Sequence, residues 1–223
     1  MVKAELLQAW ITYIFDHPVT EPAWYWAEDA PEWQGPREGL PELIAETFER
    51  AGELLSCYSN ELLDQGFWLL LSGPSPQFMA TRVDRNIALP ARRRALRSFV
   101  PLFRQIMPVR CSAYLSASED SGANPVNSSC YMWWDLLTDT LSLSPDPDDL
   151  DLARLEEDFL FTLGDILAIN HDACRESALH GIGHWVKMFP RLATVVDEFL
   201  STTSGLRPEL IDYARRAKAG SVF

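Results

Sequence analysis

Residues 174–185 read CRESALHGIGHW. On a helix, Glu176, His180 and His184 fall four residues apart and share one stripe. Two neutral imidazoles one turn apart, with a carboxylate as third donor, are a known way to hold zinc. The same imidazoles suit a general acid or base in a cleft. Two points weigh against a metal. A zinc-protease helix needs H-E-x-x-H, and here Gly-Ile-Gly stands between the histidines, with no general-base glutamate. Three donors over two full turns also spread too far for one ion on a straight helix, and a fourth would have to come from His17, His171 or Asp165. The competing reading is packing, with both rings in a helical seam and their nitrogens satisfied locally.

An internal echo favours packing. CYSNELLDQGFW at 57–68 overlays CRESALHGIGHW when the chain is shifted by 117 residues. Cys57 meets Cys174, Leu62 meets Leu179, Gly66 meets Gly183 and Trp68 meets Trp185. His180 then takes the place of Leu63, His184 that of Phe67, and Glu176 that of Ser59. The equivalent face of the first copy is mostly apolar. Gly181 and Gly183 fit a packed seam, because glycine lets a neighbour approach closely. CYMWWDLL, from Cys130, repeats the pattern weakly.

The elements that must carry these residues are helical almost throughout. Leu6, Leu7, Trp10, Ile11 and Ile14 make one apolar face, and Asp16-His17-Pro18 ends that segment. Residues 17–40 form a long connection with prolines at 18, 22, 31 and 36 and the aromatics Trp24, Tyr25, Trp26 and Trp33. A loop of that length in a compact domain is functional or packs as its own layer. Pro41 opens the next helix, which reads as two helices broken near Cys57. PARRRALRSFVPLFRQIM should bend at Pro101, and VRCSAYLSAS should form a short helix. PVNSSCYMWWDLLTDTL is helical, SPDPDD breaks it, and LDLARLEEDFLFTLGDILAIN is long and apolar around much of its circumference. His171-Asp172 starts the CRESALHGIGHW helix, Pro190 interrupts, and RLATVVDEFLSTT and a last helix from Pro208 follow. No alternating strand or Asn-Gly hairpin is present. The fold class is all-α, as one domain over 1–223.

The 223 residues are 47% hydrophobic, which suffices for a sizeable core, and the net charge is −13. That charge repels nucleic-acid phosphates and anionic lipid and suits a basic partner. ARRRALR at 91–97 is a basic cluster, and most such runs are a helix face paired with acids. No two of Cys57, Cys111, Cys130 and Cys174 make a C-x-x-C pair. All but Cys111 lie in apolar helical patterns and should be buried, reduced thiols, which points to the cytoplasm. No apolar run reaches the roughly 18 residues of a membrane span. There is no phosphate-binding glycine loop and no nucleophile elbow. Trp133 and Trp134 are adjacent, and adjacent helical positions point about 100° apart, so both cannot face the same core seam; the aromatic load should mostly be core, with at least one of this pair open to line a groove or second interface.

Paired helices, proline breaks and the echo resemble the HEAT/armadillo class of α-helical repeat proteins of uncharacterised bacterial type. The resemblance covers residues 40–200 as architecture and is specific only over the dozen residues quoted. It implies antiparallel helix pairs stacked as a short irregular α-solenoid whose inner face binds a macromolecule, and it brings no catalytic residues. The long 17–40 loop and the irregular 73–90 stretch depart from a regular repeat, and a compact irregular helical bundle is the alternative. The expected function is a non-enzymatic protein-binding module that meets a basic protein through Trp24, Tyr25, Trp26, Trp133, Trp134, His180 and His184, with no catalytic residue, cofactor or metal. The alternative is a metal-dependent or His-based enzyme using Glu176, His180 and His184.

Overall fold

The computed structural model describes residues 2–72, 77–81, 84–116, 124–135 and 150–222. The chain is all-α, and the described residues contain no strand. The helices are α1 (Ala4–Phe15), α2 (Leu40–Glu49), α3 (Ala51–Leu54), α4 (Asn60–Ser72), α5 (Gln77–Ala80), α6 (Leu89–Arg97), α7 (Phe99–Gln105), α8 (Met107–Arg110), α9 (Pro125–Tyr131), α10 (Leu150–Leu167), α11 (Asp172–Trp185), α12 (Leu192–Thr202) and α13 (Pro208–Lys218). Short 3-10 turns at Trp24–Trp26 and Arg37–Gly39 punctuate the long connection after α1. The SPDPDD break lies outside the described residues. One contiguous apolar cluster runs from Leu7 on α1 to Val222 beyond α13. No helix among the described residues is long and apolar enough to cross a membrane.

The echo has a structural counterpart. α9 packs against both α4 and α11, so the two echoing helices share one neighbour. Each also receives a close partner at the matching glycine. A Cβ on Gly66 would lie 2.3 Å from the Phe15 ring, and a Cβ on Gly183 would lie 2.3 Å from Val222. Side chains make the closest approach at both, and at Gly66 the Ile14 backbone carbonyl also comes within 2.9 Å.

Charge organises the other half of the fold. Successive arginines on α6 point in different directions. Arg92 donates to Asp151 (2.9 Å), and Arg93 and Arg97, one turn apart, converge on Asp158, so three arginines hold α10. Arg94 donates to Glu46 and Glu49 and holds α2. The basic cluster is thus a paired helix face, as its composition predicts.

Several boundaries move. The α6–α7 break falls at Ser98, one turn before Pro101. Proline has no N–H to offer the Arg97 carbonyl, so the loss is felt four residues upstream. The expected VRCSAYLSAS helix stops at Arg110, and Cys111 is extended. The side chains of Asn124 and Asn127 take its backbone groups instead: Asn127 bonds both the N–H and the C=O of Ser112 (2.8 and 2.9 Å). Competition of this kind is how side-chain amides divert a chain from helix. Cys57 lies exposed in the α3–α4 turn, contrary to expectation, while Cys111, Cys130 and Cys174 are buried; all four are free thiols.

Trp133 and Trp134 are both fully buried, so neither lines a groove. α9 ends at Tyr131 and residues 132–134 form a turn, so the 100° step between helical neighbours does not apply. The turn sends Trp133 among Phe48, Phe67, Phe99 and Phe103, with ring centroids 5.5–5.9 Å away. Trp134 goes to the other side, where its indole N–H donates to Ser177 on α11 (3.1 Å).

Candidate functional site

The next residue along that turn is Asp135. A Cβ at Gly181 would lie 2.6 Å from Trp134 Cγ, so glycine at this position lets Trp134 press onto α11. The contact carries Asp135 over the histidine stripe. Asp135 Oδ1 is 2.8 Å from His180 Nε2 and also contacts His184 Nε2. The two Nε2 atoms are 3.2 Å apart. One donor atom from each of Asp135, His180 and His184 lies within 4.8 Å of the other two, and this is the sole such metal-competent cluster among the described residues. Donors about 2.0–2.1 Å from a tetrahedral zinc stand about 3.3 Å from one another, so the triangle needs only slight opening to take an ion.

The site is graded in exposure. The His180 side chain is 4% exposed, His184 14% and Asp135 21%. His180 is thus the buried end of the cluster, and Asp135 with His184 the more exposed end. Burial alone would disfavour the Asp135 charge. Hydrogen bonds from His180 and His184 outweigh it and hold the carboxyl well below the usual carboxylate range. Asp135 is therefore ionised, the form in which a carboxylate binds metal.

A polar shell lies behind His180. Its Nδ1 is 2.6 Å from the Tyr213 hydroxyl of α13, and that hydroxyl is 3.1 Å from the hydroxyl of Tyr131 on α9. The Tyr131 ring lies against His180, centroid to centroid 4.2 Å. The Arg216 guanidinium sits 5.0 Å from the centre of the Tyr213 ring. Burial first, then the bond to Tyr131, push the Tyr213 phenol far above its ordinary range, so it keeps its proton.

Comparison with protein-family models, curated proteins and solved structures finds no significant match. The site must therefore be read from its own geometry.

The stripe reading placed Glu176 with the two histidines. Glu176 is on the same helix face and buried, but its carboxylate accepts the Ser116 N–H (2.7 Å) and is not part of the cluster. Asp135 fills the third place from another segment, which removes the objection that three donors on one straight helix spread too far. His17 stacks on Trp24 (3.6 Å) and Asp165 pairs with Arg104 (3.1 Å), and neither they nor His171 joins the cluster. Tyr25 is buried, Trp24 half-buried and Trp26 exposed. Trp24 packs on Tyr13 of α1 and stacks on His17. Asp135, Tyr131 and Tyr213 escaped the sequence reading. The signal for Asp135 was a single acid within the apolar run CYMWWDLL, since a carboxylate in such a run is seldom buried without partners.

Proposed function

We propose that the chain is a metal-dependent protein in which Asp135, His180 and His184 hold one divalent transition-metal ion. The observation that carries this reading is the convergence of two imidazole Nε2 atoms and one ionised carboxylate oxygen on a single point. Two nitrogens and one oxygen suit Zn²⁺ or Fe²⁺ better than Mg²⁺ or Ca²⁺, which take oxygen. Three protein ligands, the number found among the described residues, are the pattern of catalytic zinc, whereas structural sites use four. In such a centre the ion acts as a Lewis acid on a water or a substrate oxygen.

Tag-free protein should carry, or take up, about one equivalent of metal per chain. The variant His180→Leu with His184→Phe, which copies the first echo, should stay folded and bind none. Saturating metal should raise wild-type stability by about 2–4 kcal/mol and leave the variant unmoved. Absence of stoichiometric metal, with wild-type unfolding indifferent to both zinc and chelator, would falsify the proposal.

A protein-binding role has one observation in its favour. A groove of about 800 Å³ runs between α10 and α12. Leu160, Leu167, Val195 and Phe199 line it, Glu157 and Glu198 stand in its wall, and Phe161 is 60% exposed. Such a groove suits the apolar face of a basic amphipathic helix. A cationic amphipathic peptide should bind it at low salt, more weakly as salt rises, and about 30-fold more weakly after Phe161→Glu. Binding indifferent to Phe161, or none at low salt, rejects this role.

A further inference from the structure

We infer that Tyr213 is the positioning residue of the metal centre, serving His180 in both the empty and the loaded state by reversing the direction of one hydrogen bond. The inference rests on the metal reading and adds a requirement to it. His180 Nε2 lies 2.8 Å from the Asp135 carboxylate; with no metal on it, this nitrogen carries the proton and donates it there. Neutral Nδ1 is then an acceptor, and the Tyr213 hydroxyl, 2.6 Å away, donates to it. A metal on Nε2 takes that lone pair. The proton leaves Nε2, and a proton from solvent settles on Nδ1, so the imidazole stays neutral and no net proton is lost from it. Nδ1–H must now donate, and the oxygen at 2.6 Å must accept. Tyr213 does so by turning its own proton to the Tyr131 oxygen, 3.1 Å away. A hydroxyl can play both parts. A carbonyl would serve only the loaded state and a backbone N–H only the empty one.

The surroundings fit a fixed but reversible partner. Tyr213 is 2% exposed, and its ring lies parallel to that of His180, with an angle of 12° between their planes. The Arg216 guanidinium stands beside the Tyr213 ring. The ring is held by its packing, and only the hydroxyl hydrogen has to move. Tyr131 is half-buried, so its own hydroxyl hydrogen can turn away from Tyr213 when it becomes the acceptor. Outer partners of this kind fix which nitrogen of a ligating histidine meets the metal, and losing one costs about 10–100-fold in affinity.

The experiment is a zinc titration against a competing chelator on the full chain, for wild type, Tyr213→Phe and Tyr131→Phe. It is paired with nitrogen-15 spectra of His180 in the wild type. Tyr213→Phe should bind zinc about 10–100-fold more weakly, because loaded Nδ1–H is left buried without an acceptor. Tyr131→Phe should weaken binding by a smaller factor. In the wild type the His180 proton should sit on Nε2 without zinc and on Nδ1 with it, a change that a purely packing role for Tyr213 would not require. Equal zinc affinity of Tyr213→Phe and wild type, or a loaded wild type with no proton on Nδ1, overturns the inference and leaves the metal centre standing. A wild type that takes up no zinc ends both. If Tyr213→Phe fails to fold, the wild-type spectra and Tyr131→Phe decide.

Discussion

Trp133→Ala should lower unfolding free energy by about 3–5 kcal/mol, the cost of deleting a large aromatic from a packed core. Against a total stability of about 5–15 kcal/mol, that is enough to endanger the fold. The size follows from the cage. Four phenylalanines from α2, α4 and α7 surround the indole with no exposure to solvent, so a cavity left by alanine has rigid walls on several sides. The chemistry of the indole refines the expectation. Trp133 Nε1 is buried with no hydrogen-bond partner among the described residues, whereas Trp134 Nε1 donates to Ser177. Trp133→Phe removes an unsatisfied donor along with some volume and should cost only about 1 kcal/mol. Trp134→Phe loses a made bond and should cost about 2–3 kcal/mol. Urea unfolding of the three variants checks the order. A Trp133→Ala protein within about 1 kcal/mol of wild type would mean that the indole is not caged, and the groove expected from the sequence would return.

That groove failed for a reason that lies beyond the reach of helical periodicity. The spacing of Leu7, Trp10, Ile11 and Ile14 marks α1 because a helix repeats every 3.6 residues, and the same rule marks α10 and α13. It says nothing about where a helix stops for tertiary reasons. α9 stops at Tyr131, and the turn after it decides the direction of three consecutive side chains, Trp133, Trp134 and Asp135. Half the candidate site was legible, because His180 and His184 lie on one helix and their spacing is local. The other half was not. Asp135 and Tyr213 come from segments far away in the chain, and only packing brings them to the histidines. The glycine at 181 was visible, but the tryptophan that it admits was not. The echo was informative in an unexpected way. It pointed to packing at 180 and 184, where the first copy carries the buried Leu63 and Phe67. At those places the second helix has a buried His180 and a half-buried His184.

The cluster at α6 makes the last prediction. Asp158 is a carboxylate with no solvent exposure, gripped by two arginines that are themselves partly exposed. Arg93 meets it through a fork, Nε to Oδ2 and Nη2 to Oδ1, at 2.5 and 3.0 Å. Arg97 Nε adds a third bond to Oδ1 at 2.7 Å. The two sides of this triad are not equivalent. Asp158→Asn removes the buried charge and leaves both guanidinium groups able to find water, so the loss should be only about 1–2 kcal/mol. Arg93→Ala combined with Arg97→Ala leaves the buried charge behind with its partners gone, and that should cost about 3–5 kcal/mol. Adding Asp158→Asn to the double variant should then restore stability, because the stranded charge is what costs. A mutation that is harmful in the wild type and helpful in the double variant is the signature of coupling in one network. Because the carboxylate is buried, raising salt should do little to rescue the double variant, in contrast to the exposed Arg50–Glu53 pair. Equilibrium unfolding of the four proteins at low and high salt reads all of this. If the double variant unfolds no more easily than Asp158→Asn, the α6–α10 seam is held by its apolar contacts, and the arginines are ornaments of the surface.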